Sequence, residues 1–295
     1  MNHLSTMARD AQGIASACGG GWAAPTSHRA CTGEMNDPHM NRYLLVMTAC
    51  IDPSKGEYRL TRADPAVRLE DYRNALRFWL RFPDERIGNI LFVENSNYPL
   101  DGLKATAELE NPRRKNVEFI SLDCNWYPPG GHYGYAELRM LDLGLGQSRL
   151  RNATTHMIKV SGRFTFPGLT RLLDRVPAEF DAVADARAWR TLRKRHEHPQ
   201  VTTQIILFAH EFYQRHLQDC YRQLESGEVT HMEAIYYRKL AELSAVNKKI
   251  ILRFPCNVSP VGFPAHRDRP YTHHSQMLAN AFRAVARRIL PNWWI

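Results

Sequence analysis

Short apolar runs alternate with segments of helical periodicity between Tyr43 and Val160, and this alternation constrains the fold more than any other feature of the chain. Four runs have the length of strands: Tyr43–Cys50, Ile87–Val93, Val117–Leu122 and His156–Val160. The segments between them are predicted helices: Arg68–Phe82, Pro99–Glu110 and Tyr135–Leu145. Continuous apolar runs are typical of strands buried on both faces, and strand–helix alternation favours parallel pairing. We therefore expect an α/β fold in which helices cover both faces of a mostly parallel, mixed sheet.

The sequence after residue 175 predicts a more helical part. Four segments have charged or amphipathic helical character: Asp181–His198, Gln204–Leu224, Thr230–Leu243 and Ser275–Leu290. Lys248–Arg253 is predicted to be a late strand.

The last predicted helix carries an apolar stripe with arginines beside it. The stripe consists of Leu278, Phe282, Val285 and Ile289, and the arginines are Arg283, Arg287 and Arg288. One interpretation is an interfacial anchor that makes peripheral contact with an anionic membrane. The other is a terminal helix docked on the core, with Trp293-Trp294 covering an edge. Docking is slightly favoured because the stripe is narrow.

Residues 1–39 differ from the rest of the chain. They have no sustained apolar period and hold two basic and three acidic residues, whereas residues 40–295 hold 37 basic and 27 acidic ones. We predict a disordered leader, or a start codon placed too early, over residues 1–39. The whole chain has a formal charge of +9, and the part predicted to fold has a charge of +10, so the excess of positive charge belongs to that part. Nucleic acid, anionic lipid and a phosphorylated substrate all suit such a charge.

Cysteine usage and hydropathy indicate the compartment. The six cysteines form no C-x-x-C pair and no zinc-ligand spacing, and no secretory signal is recognisable. No apolar stretch has the length of a membrane span. We expect reduced thiols and a cytoplasmic location.

Polar side chains end all four predicted strands. In an open α/β sheet, ligands bind at the carboxyl ends of the strands, so these side chains are expected to share one site. The set contains hydroxyls, carboxylates, amides and cations: Thr48, Asp52, Glu94, Asn95, Ser96, Asn97, Asp123, Asn125, Lys159 and Arg163. Acceptors suit a base and a ribose, and cations suit a diphosphate, which indicates a nucleotide. The alternative is that these loop ends are polar because they are solvated.

A glycine-rich loop, GGHYGYAE from Gly130 to Glu137, runs into the third predicted helix. Backbone amides at such a helix start can bind an anion or a sugar hydroxyl. The chain has no P-loop and no G-x-G-x-x-G after its first strand, so the common ATP and dinucleotide sites are disfavoured.

Four short motifs stand in order along the first half of the chain: TACIDP, ILFVENSN, YGYAEL and IKVSGRF. Together they resemble bacterial glycosyltransferases of capsule and lipopolysaccharide assembly. The matching positions are Glu94, Asn95 and Ser96 in a Glu-Asn-Ser-like turn, Gly134 and Glu137 in a Gly-Glu motif that opens a helix, and Lys159, Gly162 and Arg163 in a Lys-Val-Thr-Gly-Arg motif. Ser161 replaces the threonine of that motif, and Tyr135-Ala136 separates the Gly from the Glu. The resemblance covers residues 41–175 well and the remainder loosely.

The resemblance implies a GT-A-like fold and transfer of a sugar from a nucleotide-sugar donor to a saccharide or lipid-linked acceptor in cell-surface polysaccharide biosynthesis. It implies one catalytic domain over residues 40–295, with a nucleotide-sugar-binding half (40–175) and an acceptor half (176–295). Such folds usually hold a divalent metal through Asp-x-Asp, and the nearest string here is Asp123-Cys124-Asn125. We therefore predict no cofactor and a metal-independent transfer, with Lys159 and Arg163 as the diphosphate clamp.

An inverting transfer requires a carboxylate base near the acceptor hydroxyl. Glu233 is the best candidate because His231 and the pair Tyr236-Tyr237 lie close to it in sequence, and aromatic rings often stack on sugar faces. Alternatively, Glu233 lies on the solvent face of an amphipathic helix. The other candidate bases are Asp52, Asp123 and Asp185. Inversion and retention both stay open.

Two other function classes stay open. The segment RTLRKRHEH (190–198) suggests a basic nucleic-acid-binding protein, and a non-catalytic member of the nucleotide-sugar fold has the same motifs. No nucleic-acid-binding module is recognisable, and the basic residues are spread along the chain. We therefore expect no nucleic acid partner.

Overall fold

A computed structural model describes residues 42–56, 60–129, 131–132, 134–187, 200–225, 231–264, 270–271 and 274–289. All of them belong to one compact unit, Asp37–Ile295. The predicted leader (1–39), the basic segment 190–198 and Trp293-Trp294 lie outside the described residues.

One mixed sheet organises the described part of the chain. The strands are β1 (Tyr43–Ala49), β2 (Asn89–Glu94), β3 (Asn116–Ser121), β4 (His156–Ser161), β5 (Ala182–Val183), β6 (Ala186–Arg187), β7 (Gln200–Val201), β8 (Ile205–Ala209) and β9 (Ile250–Ile251). The helices are α1 (Pro65–Arg81), α2 (Asp101–Leu109), α3 (Gly134–Gln147), α4 (Leu169–Leu173), α5 (His210–His216), α6 (Met232–Ser244) and α7 (His274–Ile289). Seven strands follow the order β3-β2-β1-β4-β8-β5-β9, while β6 and β7 pair separately.

The first four strands in this order run parallel. Leu45 of β1 lies opposite Ile90 of β2 on one side and Ile158 of β4 on the other. β3 extends the parallel set beyond β2. β8 then pairs antiparallel with β4 and β5, and β9 pairs parallel with β5. The predicted α/β fold with a mostly parallel, mixed sheet is confirmed.

The side chains of β1 alternate between two hydrophobic cores, one on each face of the sheet. Leu45 and Met47 belong to the same core as Trp79 of α1. Leu44 and Val46 belong to the other core, together with residues of α3 and α6. Burial on both faces explains why this strand is apolar at nearly every position.

The predicted helix over Gln204–Leu224 is wrong in its first part. Ile205–Ala209 is strand β8, α5 begins only at His210, and a 3₁₀ turn occupies Cys220–Leu224. The run IILFA lies between β4 and β5, which supply partners for its backbone, and its first four side chains are buried. A short apolar run has no period that distinguishes a buried strand from a buried helix.

The predicted helix over Asp181–His198 is also wrong where the structure describes it. Ala182–Val183 and Ala186–Arg187 are short strands: β5 lies between β8 and β9 in the sheet, and β6 pairs with β7. The small side chains Ala182, Ala184 and Ala186 are buried there. The predicted strand Lys248–Arg253 is shorter than expected and comprises Ile250–Ile251. The helices predicted after residues 230 and 275 are α6 and α7.

The terminal helix α7 contacts the core with the face opposite its apolar stripe. Arg287 donates two hydrogen bonds to Asp185, at 2.7 and 2.6 Å, and Ala286 is buried beside it. Leu278 and Ile289 of the stripe are exposed. The helix therefore does pack on the protein, but the stripe does not.

Among the described residues, none of the helices is both long enough and apolar enough to cross a membrane.

Candidate active site

A cavity of about 230 Å³ opens at the carboxyl edge of the parallel strands. It lies where β1 and β4 end and where the antiparallel strand β8 begins. The end of β4 and the start of β8 meet there, where the Ser161 N–H donates to the Gln204 carbonyl at 2.9 Å. Seven of the residues predicted from the sequence to belong to the site line the cavity: Thr48, Asn95, Asn125, Glu137, Gly162, Arg163 and Glu233. The cavity therefore lies at the carboxyl edge of the parallel strands, where the strand pattern predicts the ligand site.

Arg163 brings to this cavity a guanidinium group that is not fully hydrogen-bonded within the described part of the chain. Its Nη1 is buried and has no hydrogen-bond partner among the described residues. Burial lowers the pKa of the guanidinium, and the nearby charge of Arg68 lowers it further. Burying a charged donor without a partner costs free energy, so a site that retains one is suited to an anionic ligand.

Arg68 is a second guanidinium at the cavity, and the sequence reasoning missed it. It is only 3% exposed. Its Nε donates to the Cys50 carbonyl at 2.8 Å, and its Nη1 donates to the Arg62 carbonyl at 3.1 Å. These carbonyls fix the side chain without cancelling its charge. Its spacing could have indicated this position, because Arg68 lies four residues before Tyr72 on the same face of α1. An arginine is uncommon on a buried helix face.

Lys159 is placed differently from the prediction. Its buried ammonium contacts Glu137 and donates to the Thr203 carbonyl at 2.7 Å, and it does not line the cavity. Thr48 Oγ1 donates to the same Glu137 carboxylate at 3.2 Å. Lys159 therefore fixes Glu137 in the cavity wall, and Arg68 rather than Lys159 is the second cation beside Arg163.

Glu233 lies in the first turn of α6 and lines the cavity. Thr203 Oγ1 donates to its Oε1 at 3.2 Å. Burial raises the pKa of the Glu233 carboxyl above its ordinary value, and the charge of Glu137 raises it further. The side chain is therefore not on a solvent face, and a raised pKa suits a group that must take up a proton near neutral pH.

The Glu-Asn-Ser turn after β2 divides into two supporting residues and one that lines the cavity. Glu94 is fully buried, accepts from the Ile51 N–H at 3.0 Å and contacts the Ser96 hydroxyl. Ser96 Oγ in turn accepts from the Asp52 N–H at 3.0 Å. Asn95 lines the cavity, and its buried Oδ1 has no hydrogen-bond partner among the described residues. Glu94 and Ser96 thus hold two loops together, and Asn95 presents an acceptor.

Three of the acidic residues considered from the sequence lie outside the cavity lining. Asp52 caps a 3₁₀ turn by accepting from the Ser54 N–H at 2.9 Å. Asp123 forms an isolated main-chain bridge with Ser96. Asp185 is 1% exposed and is held by arginines. Their positions make them less suited than Glu233 to meet a ligand in the cavity.

The two glycines of the predicted site serve close packing. A Cβ at Gly134, where α3 begins, would lie 2.9 Å from the Cβ of Met232 in α6. A Cβ at Gly162 would lie 2.8 Å from the Thr48 carbonyl oxygen and 3.2 Å from the Tyr72 ring. Gly162 therefore lets β4 turn against β1 at the cavity, and Gly134 lets two helices approach.

Gly162→Ala is expected to lower the free energy of unfolding by roughly 1–3 kcal/mol, because the backbone oxygen it meets cannot rotate away. Gly146→Ala is the matched control, since nothing lies within 4 Å of a Cβ at this position in α3. The control should gain about 0.4–1 kcal/mol. Urea unfolding of both variants measures this, and a parental midpoint for Gly162→Ala would contradict the close approach.

Cys50 lines the cavity as a neutral thiol. Burial raises its pKa to about 12. A thiol in that state is a poor nucleophile at neutral pH, so the cavity is not suited to covalent catalysis by this residue.

The side chains at the cavity do not fit a divalent metal. Within the described ranges, no group of three or more His, Cys, Asp or Glu side chains could hold an ion. Glu137 is already paired with a lysine, and Asp123, from the string nearest to Asp-x-Asp, does not line the cavity. Arg68 and Arg163 stand at the cavity instead, and they can neutralise an anion directly.

No protein-family model matches the chain, and neither does any curated protein. Solved structures match it distantly. The 4-diphosphocytidyl-2C-methyl-D-erythritol synthase from Anaerococcus prevotii is 11% identical over 82% of this chain and 99% of that chain, with a TM-score of 0.43. The mannosyltransferase Ktr4p from S. cerevisiae is 10% identical over 81% of this chain and 77% of that chain, with a TM-score of 0.41. Mouse xyloside xylosyltransferase 1 is 11% identical over 73% of this chain and 85% of that chain, with a TM-score of 0.36.

These likenesses are too distant to establish a family.

Proposed function

We propose that this protein is a GT-A-like glycosyltransferase that binds a nucleotide sugar in the cavity and transfers its sugar to a hydroxyl acceptor. The observation that carries the proposal is the Arg163 guanidinium, whose buried Nη1 has no hydrogen-bond partner among the described residues, in the same cavity as the buried Arg68. Two guanidinium groups at the carboxyl edge of parallel strands match the charge and geometry of a diphosphate. The motifs that hold Asn95 and Arg163 also resemble those of bacterial glycosyltransferases.

The donor is recognised by complementary charges and hydrogen bonds. Arg163 binds the diphosphate oxygens, and the planar fork of its guanidinium favours two oxygens at once. Arg68, whose Nε and Nη2 both donate to the Cys50 carbonyl, adds its positive charge to this end of the cavity. The unpartnered Asn95 Oδ1 accepts a hydrogen bond from a hydroxyl of the ribose or the sugar. Asn125, which also lines the cavity, adds a second amide.

The transfer is a direct displacement at the anomeric carbon. The acceptor oxygen forms a bond to that carbon, while the bond from the carbon to the diphosphate oxygen breaks. The leaving nucleoside diphosphate keeps the electron pair, and its growing negative charge is stabilised by Arg163 and Arg68. Glu233 takes the proton of the acceptor hydroxyl, and Thr203 holds the carboxylate in place.

The acceptor is a saccharide or a lipid-linked saccharide, and the process is cell-surface polysaccharide assembly. This part of the proposal is supported by the resemblance of the four sequence motifs. The residues beyond 175 that reach the cavity, including Thr203, Gln204 and Glu233, are the ones assigned to the acceptor side.

Thermal-shift measurements with UDP, GDP, dTDP and CMP sugars test the proposal, with duplex DNA as a control. We expect stabilisation by one nucleoside diphosphate sugar and release of its nucleoside diphosphate when a saccharide acceptor is added. Binding without turnover over a broad acceptor panel would support the non-catalytic alternative. Stabilisation by DNA alone, with a steep salt dependence, would support the nucleic-acid alternative.

Metal chelation should leave the transfer rate unchanged. Because the cavity neutralises the diphosphate with two arginines, turnover in EDTA is expected to equal turnover in Mn²⁺. Donor consumption is measured in both buffers after exhaustive dialysis. Activity that EDTA abolishes and Mn²⁺ restores would overturn the arginine clamp.

A further inference from the structure

The helix α7 presents its apolar stripe to solvent. Leu278 is 72% exposed, Phe282 55%, Val285 54% and Ile289 70%. Met277, at 57%, extends the apolar surface at the start of the helix. A continuous apolar surface of this kind is uncommon on a protein without a partner for it.

The helix cannot simply turn this stripe inward. Arg287, on the opposite face, donates to both carboxylate oxygens of Asp185 and to the Phe254 carbonyl at 3.1 Å. Asp185 is 1% exposed, and losing one of its arginines would leave a buried carboxylate poorly neutralised. The ion pair therefore fixes the rotation of α7 about its axis, with the stripe outward.

The charge of α7 indicates what covers the stripe. The helix has no acidic residue, and of its three arginines Arg288 is exposed, Arg283 is half-buried and Arg287 is paired with Asp185. The six residues after the end of α7 are LPNWWI and include two tryptophans. Tryptophan is enriched at the boundary between lipid and water. An apolar face flanked by arginine on a helix without carboxylates is complementary to anionic phospholipid.

We propose that α7 lies on an anionic phospholipid surface, with Leu278, Phe282, Val285 and Ile289 inserted at the boundary between headgroups and acyl chains. Arg288 contacts the lipid phosphates. The ion pair between Arg287 and Asp185 keeps the helix oriented for this contact. The proposal concerns a surface outside the cavity, so it stands or fails separately from the sugar-transfer activity.

Flotation with vesicles tests this proposal on the full chain. The variant Leu278→Ser/Phe282→Ser/Val285→Ser removes exposed apolar surface and leaves Arg287 in place. Leu109→Ser/Val246→Ser is the matched control, because these side chains are 85% and 87% exposed and lie outside α7. Truncation before α7 is a poor test, since it would also remove the partner of Asp185.

We expect the parent and the control to float with vesicles that contain phosphatidylglycerol, and to bind phosphatidylcholine vesicles much more weakly. The α7 variant should bind phosphatidylglycerol vesicles about tenfold more weakly or worse, with an unchanged melting temperature and an unchanged rate on a water-soluble acceptor. Equal flotation of parent and α7 variant would overturn the proposal. A parental dimer that the α7 variant converts to monomer, without vesicle binding, would also overturn it and assign the stripe to a second copy.

Discussion

Arg163→Ala is expected to lower kcat/KM for the nucleotide-sugar donor by about 10²–10³-fold, the range found when one donor to a developing negative charge is removed. The physical reason is that Arg163 holds a buried guanidinium nitrogen without a partner among the described residues, at the edge where the diphosphate is proposed to bind. Arg163→Lys should recover only part of the loss, because an ammonium restores the charge but not the planar fork. Steady-state kinetics over a range of donor concentrations measures both effects.

The fold should tolerate the Arg163→Ala change. Removing a buried donor that has no hydrogen bond leaves no group unsatisfied, and the loss is limited to side-chain packing such as the contact with the Phe164 ring, so the melting temperature is expected to change little. The exposed Arg175→Ala is the control for a general loss of positive charge. Parental donor kinetics for Arg163→Ala would remove the basis of the proposed diphosphate site. A large drop in melting temperature would indicate instead that Arg163 is structural.

Glu233→Gln is expected to lower kcat by about 10²–10⁴-fold, the usual contribution of a positioned general base. The donor KM should change little, because Glu233 is proposed to act on the acceptor proton and not on the diphosphate. The amide keeps the shape of the side chain and can still accept from Thr203. Glu242→Gln is the matched control, since Glu242 is exposed on the same helix.

The pH dependence of Glu233→Gln separates a base from a structural residue. In the parent, kcat should fall as pH drops through the raised pKa of Glu233, because only the carboxylate accepts a proton. This acidic limb should be absent from the residual activity of Glu233→Gln. Parental kcat in the glutamine variant would exclude the assignment, and retention of the same acidic limb would transfer the base role to another group.

The raised pKa also sets the sign of a stability effect. The folded state binds the Glu233 proton more tightly than the unfolded state does, so the stabilisation that this proton confers is present at low pH. It is lost as pH rises from the ordinary glutamate pKa through the raised one. Urea unfolding on either side of this window should therefore show a steeper decline with pH in the parent than in Glu233→Gln, which keeps the contribution of the buried Asp142. Glu242→Gln should keep the decline.

The first half of the fold could be predicted from the sequence because its signals are local. The apolar runs of β1, β2, β3 and β4 are continuous, and the helices between them have clear apolar faces. Once these strands are parallel, their carboxyl ends must meet at one edge. That is why Thr48, Asn95, Gly162 and Arg163, which are far apart in the chain, line the same cavity.

The strand β8 and the cavity residue Arg68 were not predicted, and both omissions have the same cause. Assigning Gln204–Leu224 to one helix hid the strand β8, whose start delivers Thr203 and Gln204 to the cavity because the strand is antiparallel. Arg68 was missed because the helical period predicts that the charged residues of this helix lie on the side away from Tyr72 and Trp79, whereas the structure buries Arg68 together with them. In both cases the deciding contact is with a residue distant in sequence.

The sequence by itself determined the α/β sheet and the edge at which its polar residues gather, since strand length, apolar continuity and helical period are properties of neighbouring residues. Only the tertiary structure decided which charges are paired. Lys159 is neutralised by Glu137, while Arg163 retains a guanidinium nitrogen without a hydrogen-bond partner in the described part of the chain. It also decided that α7 turns its apolar stripe outward, because the buried Asp185 requires Arg287. Charge pairing and helix rotation depend on which groups the fold brings within a few ångströms, and no local pattern specifies that.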